Sequence, residues 1–296
     1  MTDLGTTASK NPEIVDSNFK PFWKFVDEAT TEEMYHADRT ALSRGDIVSY
    51  LRSPAHFYEH HFGEPEKEPT EAMKFGTAAH TMLLEPEKFR KKYIEMPDFG
   101  DFRSSKNKAE RDAWLSDQPP GAIICTKEDL ECLVGISQSL LKHPIAKDIF
   151  KDGVCEAIGY YRDPVTGFKC RVKPDFVSKS WQAVVDFKTA RDARKHYFSK
   201  TIWENRYDIQ LAMYSHGVRE ISNWQSENRV WVVAEKKRPY PVWVYVADKN
   251  MNDIADSDYR KGLDGILSCL VANNYNFYQE AAEEISLPRY AIWEGQ

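Results

Sequence analysis

The spacing of apolar residues predicts mostly helices in the first half of the chain. Helical periodicity extends from Ser43 to His61, and Ser53-Pro54 within it is a natural start for a second helix. A further helix is expected from Ala72 to about Glu85, and another runs from its N-cap Thr126 to about Leu141. The segment from Met96 to Gly121 is charged and poor in apolar residues, which predicts a surface insertion with a short helix.

The second half of the chain alternates as strands do. Asp163 to Gly167 has turn residues at both ends, which predicts an antiparallel hairpin between the first two strands. The predicted strands are Val154 to Arg162, Phe168 to Val177, Trp181 to Phe187, Arg229 to Ala234 and Val242 to Ala247. Helical spacing returns at Tyr207 to Val218, and a long helix is predicted from Met251 to about Glu280. This order implies an α/β fold with a central mixed sheet of about five strands flanked by helices.

Two regions of different character divide the chain. Residues 1–40 are predicted to form an N-terminal arm, and residues 41–296 a single domain. The arm is polar apart from an aromatic cluster at Phe19, Phe22, Trp23 and Phe25. A hydrophobic fraction of 42% is ample for a packed core in a chain of 296 residues.

The composition indicates the cellular location of the protein, the state of its cysteines and the effect of its net charge. No apolar stretch approaches the ~18 residues of a membrane helix, and Met1 to Asn11 lacks the apolar core of a signal peptide. A cytoplasmic protein without membrane attachment is therefore expected. The five cysteines are widely spaced without a C-x-x-C pair, which argues against a disulfide framework and a zinc site. The net charge of -6 argues against indiscriminate polyanion binding but allows a local basic tract.

Asp175, Asp186 and Lys188 are the strongest candidates for chemistry. Alternate side chains of a strand share a face, so Asp186 and Lys188 should point into one space while Phe187 packs behind them. Asp175 ends the preceding strand, and neighbouring strands lie about 5 Å apart, so both carboxylates could bind one divalent cation. The carbonyl of Phe187 could add an oxygen ligand. A second interpretation stays open at this point, in which Lys188 merely forms a salt bridge with either aspartate.

Three further residues are unusual in their expected positions. His80 follows small residues that let its helix approach the sheet, although a lone histidine is more often a structural one. Gln210 falls on the apolar face between Tyr207 and Tyr214, where a buried amide needs partners. Glu156 alternates with apolar residues of the first strand, where an unpaired carboxylate would be unfavourable. Each is explained if one face carries a hydrated cation and a phosphate.

Four ordered motifs resemble the PD-(D/E)xK nuclease superfamily, which has a restriction-endonuclease-like core. Within it, the chain is most similar to the RecE-like (exonuclease VIII) group, related to the RecB nuclease domain and lambda exonuclease. The motifs are Phe75-Gly76-Thr77-Ala78-Ala79-His80 with Leu84-Glu85-Pro86, Arg171-Val172-Lys173-Pro174-Asp175, Val184-Val185-Asp186-Phe187-Lys188-Thr189-Ala190, and Tyr207-Asp208-Ile209-Gln210-Leu211-Ala212-Met213-Tyr214.

The resemblance implies roles for these residues. Lys188 would be the catalytic lysine, Gln210 would orient the active site, and Tyr214 would contact substrate. Glu156 matches an acidic position upstream of the first aspartate in related nucleases and would be a catalytic residue too. The implied metal ligands are His80, Asp175 and Asp186, with Mg²⁺ as the cation and Mn²⁺ as a substitute.

The RecE-like group also implies a substrate and partners. Such enzymes digest linear duplex DNA from the 5′ end as ring-shaped tetramers and leave a 3′ single strand for an annealing protein. Ser43 and Arg44, at the start of the first helix, are the candidates for a 5′-phosphate pocket. The chain has no G-x-x-x-x-G-K-[ST] motif, so no helicase motor is expected.

Two alternatives to a 5′ to 3′ exonuclease are retained. The first is an endonuclease, or a RecB-like nuclease that works with a separate helicase. The second is a catalytically silent module that binds DNA ends, in which the acids and the lysine only pair with each other. Cleavage of a closed circle identifies the endonuclease, and the absence of Mg²⁺-linked stabilisation identifies the silent module.

Overall fold

The structure, a computed structural model, describes residues 20–24, 32–64, 70–276 and 281–287. Its helices are α1 (Glu32–Ala37), α2 (Arg44–Arg52), α3 (Pro54–Phe62), α4 (Glu71–Leu84), α5 (Pro86–Lys92), α6 (Ser105–Ser116), α7 (Lys127–Lys142), α8 (Pro144–Ile149), α9 (Lys195–Asn205), α10 (Tyr207–Ser222) and α11 (Lys249–Ala272). Its strands are β1 (Phe22–Lys24), β2 (Tyr93–Glu95), β3 (Ile123–Cys125), β4 (Gly153–Cys155), β5 (Ile158–Arg162), β6 (Lys169–Val172), β7 (Phe176–Ser178), β8 (Ala183–Ala190), β9 (Asn228–Glu235) and β10 (Val242–Val246).

The main sheet has five strands in the order β10-β9-β8-β7-β4. Strands β8 and β9 are parallel, whereas the other three pairs are antiparallel. The prediction of a mixed five-stranded sheet flanked by helices is therefore confirmed, and the arrangement matches a restriction-endonuclease-like fold. Two smaller sheets, β1-β5-β6 and β2-β3, lie beside it.

The first two predicted strands are each broken into two, which corrects the predicted hairpin. Its inner parts, β5 and β6, do pair in antiparallel fashion, but they belong to the smaller sheet. Its outer parts, β4 and β7, pair with each other in the main sheet. The breaks fall at Glu156, whose φ of 53° is left-handed, and at Pro174, which cannot donate to a ladder. The chain therefore changes sheet twice at residues that become part of the site.

Each predicted helix is present, with a difference at the C-terminus, whereas α1, α5, α8 and α9 have no counterpart in the prediction. Ser53 caps α3 and Thr126 caps α7, each accepting a hydrogen bond from a first-turn amide. The helix predicted to reach Glu280 ends at Ala272, because Asn273 adopts a left-handed conformation with φ of 44°. Residues 277–280 lie outside the described ranges.

Apolar side chains form three cores, two of which lie against the two faces of the main sheet. Phe187 and Val185 of β8 pack toward α4 and α7 on one face. Val184 of β8 and Trp231 of β9 pack toward α9 and α10 on the other face. A third core joins α2, α3 and α11 to the smaller sheet. The middle of β8, beyond the point where β7 ends, thus lies between α4 and α10. The candidate site lies there.

The predicted N-terminal arm lies partly within the described residues. Phe22 stacks on Tyr160 with ring centroids 5.1 Å apart, and β1 forms an edge strand beside β5. Tyr35 of α1 is buried, with Arg171 over its ring at 5.1 Å. Phe19 and Phe25 lie outside the described ranges. These contacts hold the described parts of residues 1–40 against the larger unit.

All five cysteines are free thiols. None of the helices in the described part of the chain combines the length and apolar character needed to cross a membrane.

A buried aspartate fixes the start of α2. The Asp46 side chain is 1% exposed, and its Oδ2 accepts hydrogen bonds from the Ser43 amide at 2.6 Å and the Ser43 hydroxyl at 2.7 Å. Its Oδ1 lies 2.8 Å from Nδ1 of His61 on α3. Burial opposes the charged carboxylate, but these bonds and the His61 charge outweigh it and lower the pKa of Asp46 to about 2.

Asp46→Ala is expected to lower the free energy of unfolding by about 2 to 3 kcal/mol at neutral pH. Because the folded pKa of Asp46 lies below its ordinary value, its contribution is complete above pH 3.8 and disappears as the pH falls toward 2. Urea unfolding of both proteins across this pH range measures the difference. Asp264→Ala removes an exposed carboxylate on α11 and should cost little at any pH. An equal cost for both variants would contradict the assignment.

Candidate active site

A cavity of about 510 Å³ opens where β8 extends beyond its neighbour β7. Strand β7 pairs only with Ala183 to Val185, whereas β8 continues to Ala190. The second half of β8 therefore has β9 on one side and open space on the other. Helices α4 and α10 form the walls of this space, and Glu156, Lys173 and Asp175 beside the two strand breaks also line it.

Asp175, Glu156 and His80 form the acidic end of the cavity. The Phe187 amide donates to Oδ2 of Asp175 at 2.7 Å, which ties the carboxylate to β8. The Glu156 amide donates to the carbonyl of Asp175 at 3.1 Å, which holds the two acids side by side. Nδ1 of His80 lies 3.4 Å from Asp175 Oδ2 and 3.9 Å from Glu156 Oε1. One ligand atom from each of the three residues lies within 4.8 Å of the others.

Asp186 lies on β8 beside this group and is fully buried. Its Oδ1 accepts hydrogen bonds from Nζ of Lys188 at 2.6 Å and Nε2 of Gln210 at 3.0 Å. The Gln210 amide also donates to the hydroxyl of Tyr214 at 3.1 Å. Oδ2 of Asp186 has no hydrogen-bond partner among the described residues. A buried carboxylate oxygen without a donor is costly, so this oxygen is available to a ligand that carries positive charge.

Crowding of acids shifts the ionisation of the group. Burial raises the pKa of Asp175 to about 7, and the neighbouring Asp186 and Glu156 charges act in the same direction. Burial also opposes the charged form of His80, but Asp175 and Glu156 outweigh it and raise the pKa of the imidazole. The pKa of Lys188 is raised as well, because Asp186 and Asp175 outweigh its burial. Lys188 therefore stays an ammonium group.

The donor set fits a hard divalent cation. Carboxylate oxygens and water are the ligands that such cations prefer, and an imidazole is an acceptable addition. Three acids within one buried region repel one another, so a cation would remove that cost. The unpartnered oxygen of Asp186 and the close group of His80, Glu156 and Asp175 offer complementary sides for it. The site is therefore a possible metal centre.

The structure brings most of the predicted site residues together. His80, Glu156, Asp175, Lys188, Gln210 and Tyr214 all line the cavity. Phe187 is fully buried behind it, and its ring lies edge-on to His80 with centroids 5.2 Å apart. The close three-residue group includes Glu156, for which the resemblance implies a catalytic role and not a metal ligand. Asp186 and Phe187, which are predicted metal ligands, lie outside this group.

Ser43 and Arg44 take different positions. Arg44 lines the cavity, and its guanidinium donates to the backbone carbonyl of Asn205 at the end of α9. Ser43 does not line the cavity, because its hydroxyl and amide are both bonded to Asp46. Among the two candidates for the phosphate pocket, only Arg44 therefore faces the site.

Three charged or aromatic cavity residues near the acids are not among the predicted site residues. Nζ of Lys173 lies 2.6 Å from Glu156 Oε2, so this lysine neutralises one acid. Nζ of Lys188 lies 4.8 Å from the ring centre of Tyr207, which offers an aromatic face to the ammonium. Lys236, after β9, also lines the cavity. Lys173 adjoins Pro174-Asp175 and Tyr207 begins the α10 motif, so both had a local signal, whereas Lys236 had none.

Comparison with known proteins gives a consistent picture. Residues 43–287 match the sequence profile of a family described as a PDDEXK-like domain of unknown function. The curated protein sequences include no match to the chain. Among solved structures, the fold is similar to that of a "putative exonuclease" from Eubacterium rectale, with a TM-score of 0.53 and 15% identity over 90% of this chain and 99% of that chain. At this identity the similarity extends to the fold alone.

Proposed function

The chain belongs to the PDDEXK-like family, and from this premise we propose that it is a nuclease that hydrolyses DNA phosphodiester bonds with a bound divalent cation. One observation carries the proposal. Asp186, buried with an unpartnered oxygen, shares a strand face with Lys188 and lies beside the group of His80, Glu156 and Asp175. Acids that can hold a cation and an ammonium that can contact a phosphate are then within one cavity.

His80, Glu156, Asp175 and Asp186 would hold the cation, with the Phe187 carbonyl as a further oxygen ligand. Mg²⁺ is the proposed ion and Mn²⁺ its substitute, because both accept oxygen ligands together with water. When bound, the cation would neutralise charge on the phosphate and lower the pKa of a coordinated water. Lys173, paired with the other oxygen of Glu156, would balance part of the acidic charge around the cation.

The remaining residues would position the reacting groups. A water oxygen forms a bond to phosphorus and releases a proton to solvent, the bond from phosphorus to the leaving sugar oxygen breaks, and that oxygen takes up a proton from solvent. The Lys188 ammonium would stabilise the negative charge that develops on the phosphate oxygens. Gln210 holds Asp186 and Tyr214 at once, so it would fix the carboxylate relative to the substrate side of α10.

The finer proposal is a cytoplasmic 5′ to 3′ exonuclease for linear double-stranded DNA that leaves a 3′ strand for recombination. Its support is the resemblance of the four ordered motifs to RecE-like enzymes, together with Arg44 at the cavity wall as a candidate for the terminal phosphate. A ring-shaped homotetramer and an annealing protein as partner belong to the same proposal.

Nucleotide release from end-labelled DNA tests this function. With Mg²⁺, purified protein is expected to release labelled nucleotides from the 5′ end of a linear duplex, to leave a closed circle intact, and to lose all activity in EDTA. Rapid cleavage of the circle would instead favour the endonuclease alternative. Absence of cleavage in both Mg²⁺ and Mn²⁺, without any cation-linked stabilisation, would favour the silent DNA-end binding module.

A further inference from the structure

Lys236 carries a positive charge at the rim of the cavity and lies outside the four sequence motifs. It directly follows β9, and its amide donates to the carbonyl of Ala190 at 3.2 Å, so the parallel ladder continues to this residue. Its ammonium lies 5.5 Å from the ring centre of Phe75 on α4. Lys236 therefore has a fixed main chain and a side chain supported by an aromatic ring at the mouth of the cavity.

Lys236 and Lys188 border the cavity from opposite faces of the sheet. Lys188 shares the α10 face with Asp186, and its strand partner is Val233. Lys236 lies on the α4 face, as its contact with Phe75 shows. The two α-carbons are separated by three residues along the strand direction and by one spacing between neighbouring strands. Together these give a distance of roughly 11 Å. A nucleic acid strand rises about 3.4 Å per nucleotide, so Lys236 can reach a phosphate about two to three nucleotides from the one at Lys188.

Lys236 differs from Lys173 and Lys188 because it is not paired with an acidic side chain of the described residues. Lys188 is bonded to Asp186 and Lys173 to Glu156, each at 2.6 Å. Within the part of the chain that the structure describes, the Lys236 ammonium forms no ion pair with a carboxylate, and it lies over the Phe75 ring. A lysine placed in this way beside an acidic site is suited to an incoming anion.

We infer that Lys236, supported by Phe75, forms a phosphate-binding subsite for the DNA backbone two to three nucleotides from the cleaved bond. The inference rests on the proposed nuclease function and names a substrate contact outside its four motifs. Contacts to phosphate fix the position of a strand without reading its sequence. The subsite therefore holds the DNA across the sheet edge, between α4 and α10, whatever its bases.

The test measures binding of labelled duplex DNA over a salt series, with Ca²⁺ in place of Mg²⁺, together with kinetics in Mg²⁺. Lys236→Ala should weaken binding about five- to tenfold and reduce the slope of log Kd against log salt by about 0.9, equally for different sequences. KM for DNA should rise in parallel while kcat is retained. Lys236→Arg should keep the salt slope of the wild type.

Lys237→Ala is the matched control, because it removes the same charge from the next residue, which is exposed and does not line the cavity. It should leave affinity and salt slope unchanged. Cleavage by the wild type together with equal salt slopes for Lys236→Ala and Lys237→Ala would overturn the subsite while leaving the nuclease intact. A wild-type protein that neither binds nor cleaves DNA would overturn the proposed function and the subsite with it.

Discussion

Lys188→Ala is expected to reduce phosphodiester hydrolysis by about a thousandfold or more while the fold is retained. The ammonium is held 2.6 Å from Asp186 Oδ1 and faces the ring of Tyr207, so its position is fixed before substrate arrives. Its loss removes the positive charge that would meet the phosphate oxygens as they gain charge. Single-turnover cleavage of end-labelled duplex DNA measures the rate.

Removal of Lys188 also takes a partner from buried Asp186, which can destabilise the protein. Lys188→Gln separates the two effects, because its amide can still donate to Asp186 without carrying a charge. It is expected to unfold at a temperature close to that of the wild type and to be as inactive as Lys188→Ala. Lys179→Ala, at an exposed lysine after β7, should retain full activity. Near-wild-type cleavage by Lys188→Gln would show that the charge has no catalytic role.

Asp175→Asn is expected to abolish stabilisation of the protein by divalent cations. At a cation concentration about a hundredfold above Kd, the wild type should gain about 2.7 kcal/mol of stability, or roughly 5 °C in Tm. The variant should gain nothing measurable, because it lacks the carboxylate whose ligand atom lies within 4.8 Å of those of His80 and Glu156. Its amide oxygen can still accept the bond from the Phe187 amide, so the main chain keeps its position.

The same substitution has the opposite effect when no divalent cation is present. The pKa of Asp175 is raised to about 7, so ionisation of its carboxylate destabilises the folded protein at every pH above the ordinary value of 3.8. Its effect on stability grows as the pH rises from 3.8 to 7 and is constant beyond. Asp175→Asn should therefore be at least as stable as the wild type at pH 8 in EDTA.

Glu85→Gln provides the matched control for Asp175→Asn. Glu85 lines the same cavity and loses the same charge, but it is paired with Lys88 at 2.7 Å and is not part of the close ligand group. This variant should keep the full cation-linked rise in Tm. Equal loss of the rise in both variants would point to a diffuse electrostatic effect instead of a site.

Strand periodicity was sufficient to predict the centre of the site. Asp186 and Lys188 are two residues apart on one continuous strand, and the strand geometry alone places them on the same face. The position of Gln210 on the inner face of α10 was likewise visible in the helical spacing. The order of helices and strands also implied the mixed sheet that is found.

Contacts between distant segments were not predictable in this way. Alternation of residues continues through Glu156 and through Val172, so it does not show that the chain leaves one sheet and joins another there. The alternation places Glu156 within a strand. In the structure its backbone is left-handed, and its carboxylate lies beside His80 and Asp175. Lys236 reaches the cavity only because β9 lies parallel to β8, a pairing between strands about 40 residues apart.

The position of a bound Mn²⁺ ion in crystals of the wild type tests the central claim most directly. Anomalous scattering locates Mn²⁺ without assumptions about its ligands. The account predicts an ion in the cavity, in contact with Asp175 and with the oxygen of Asp186 that lacks a donor, and no such ion in crystals of Asp175→Asn. Ordered Mn²⁺ found only elsewhere on the protein, with this cavity free of it at saturating concentration, would contradict the account.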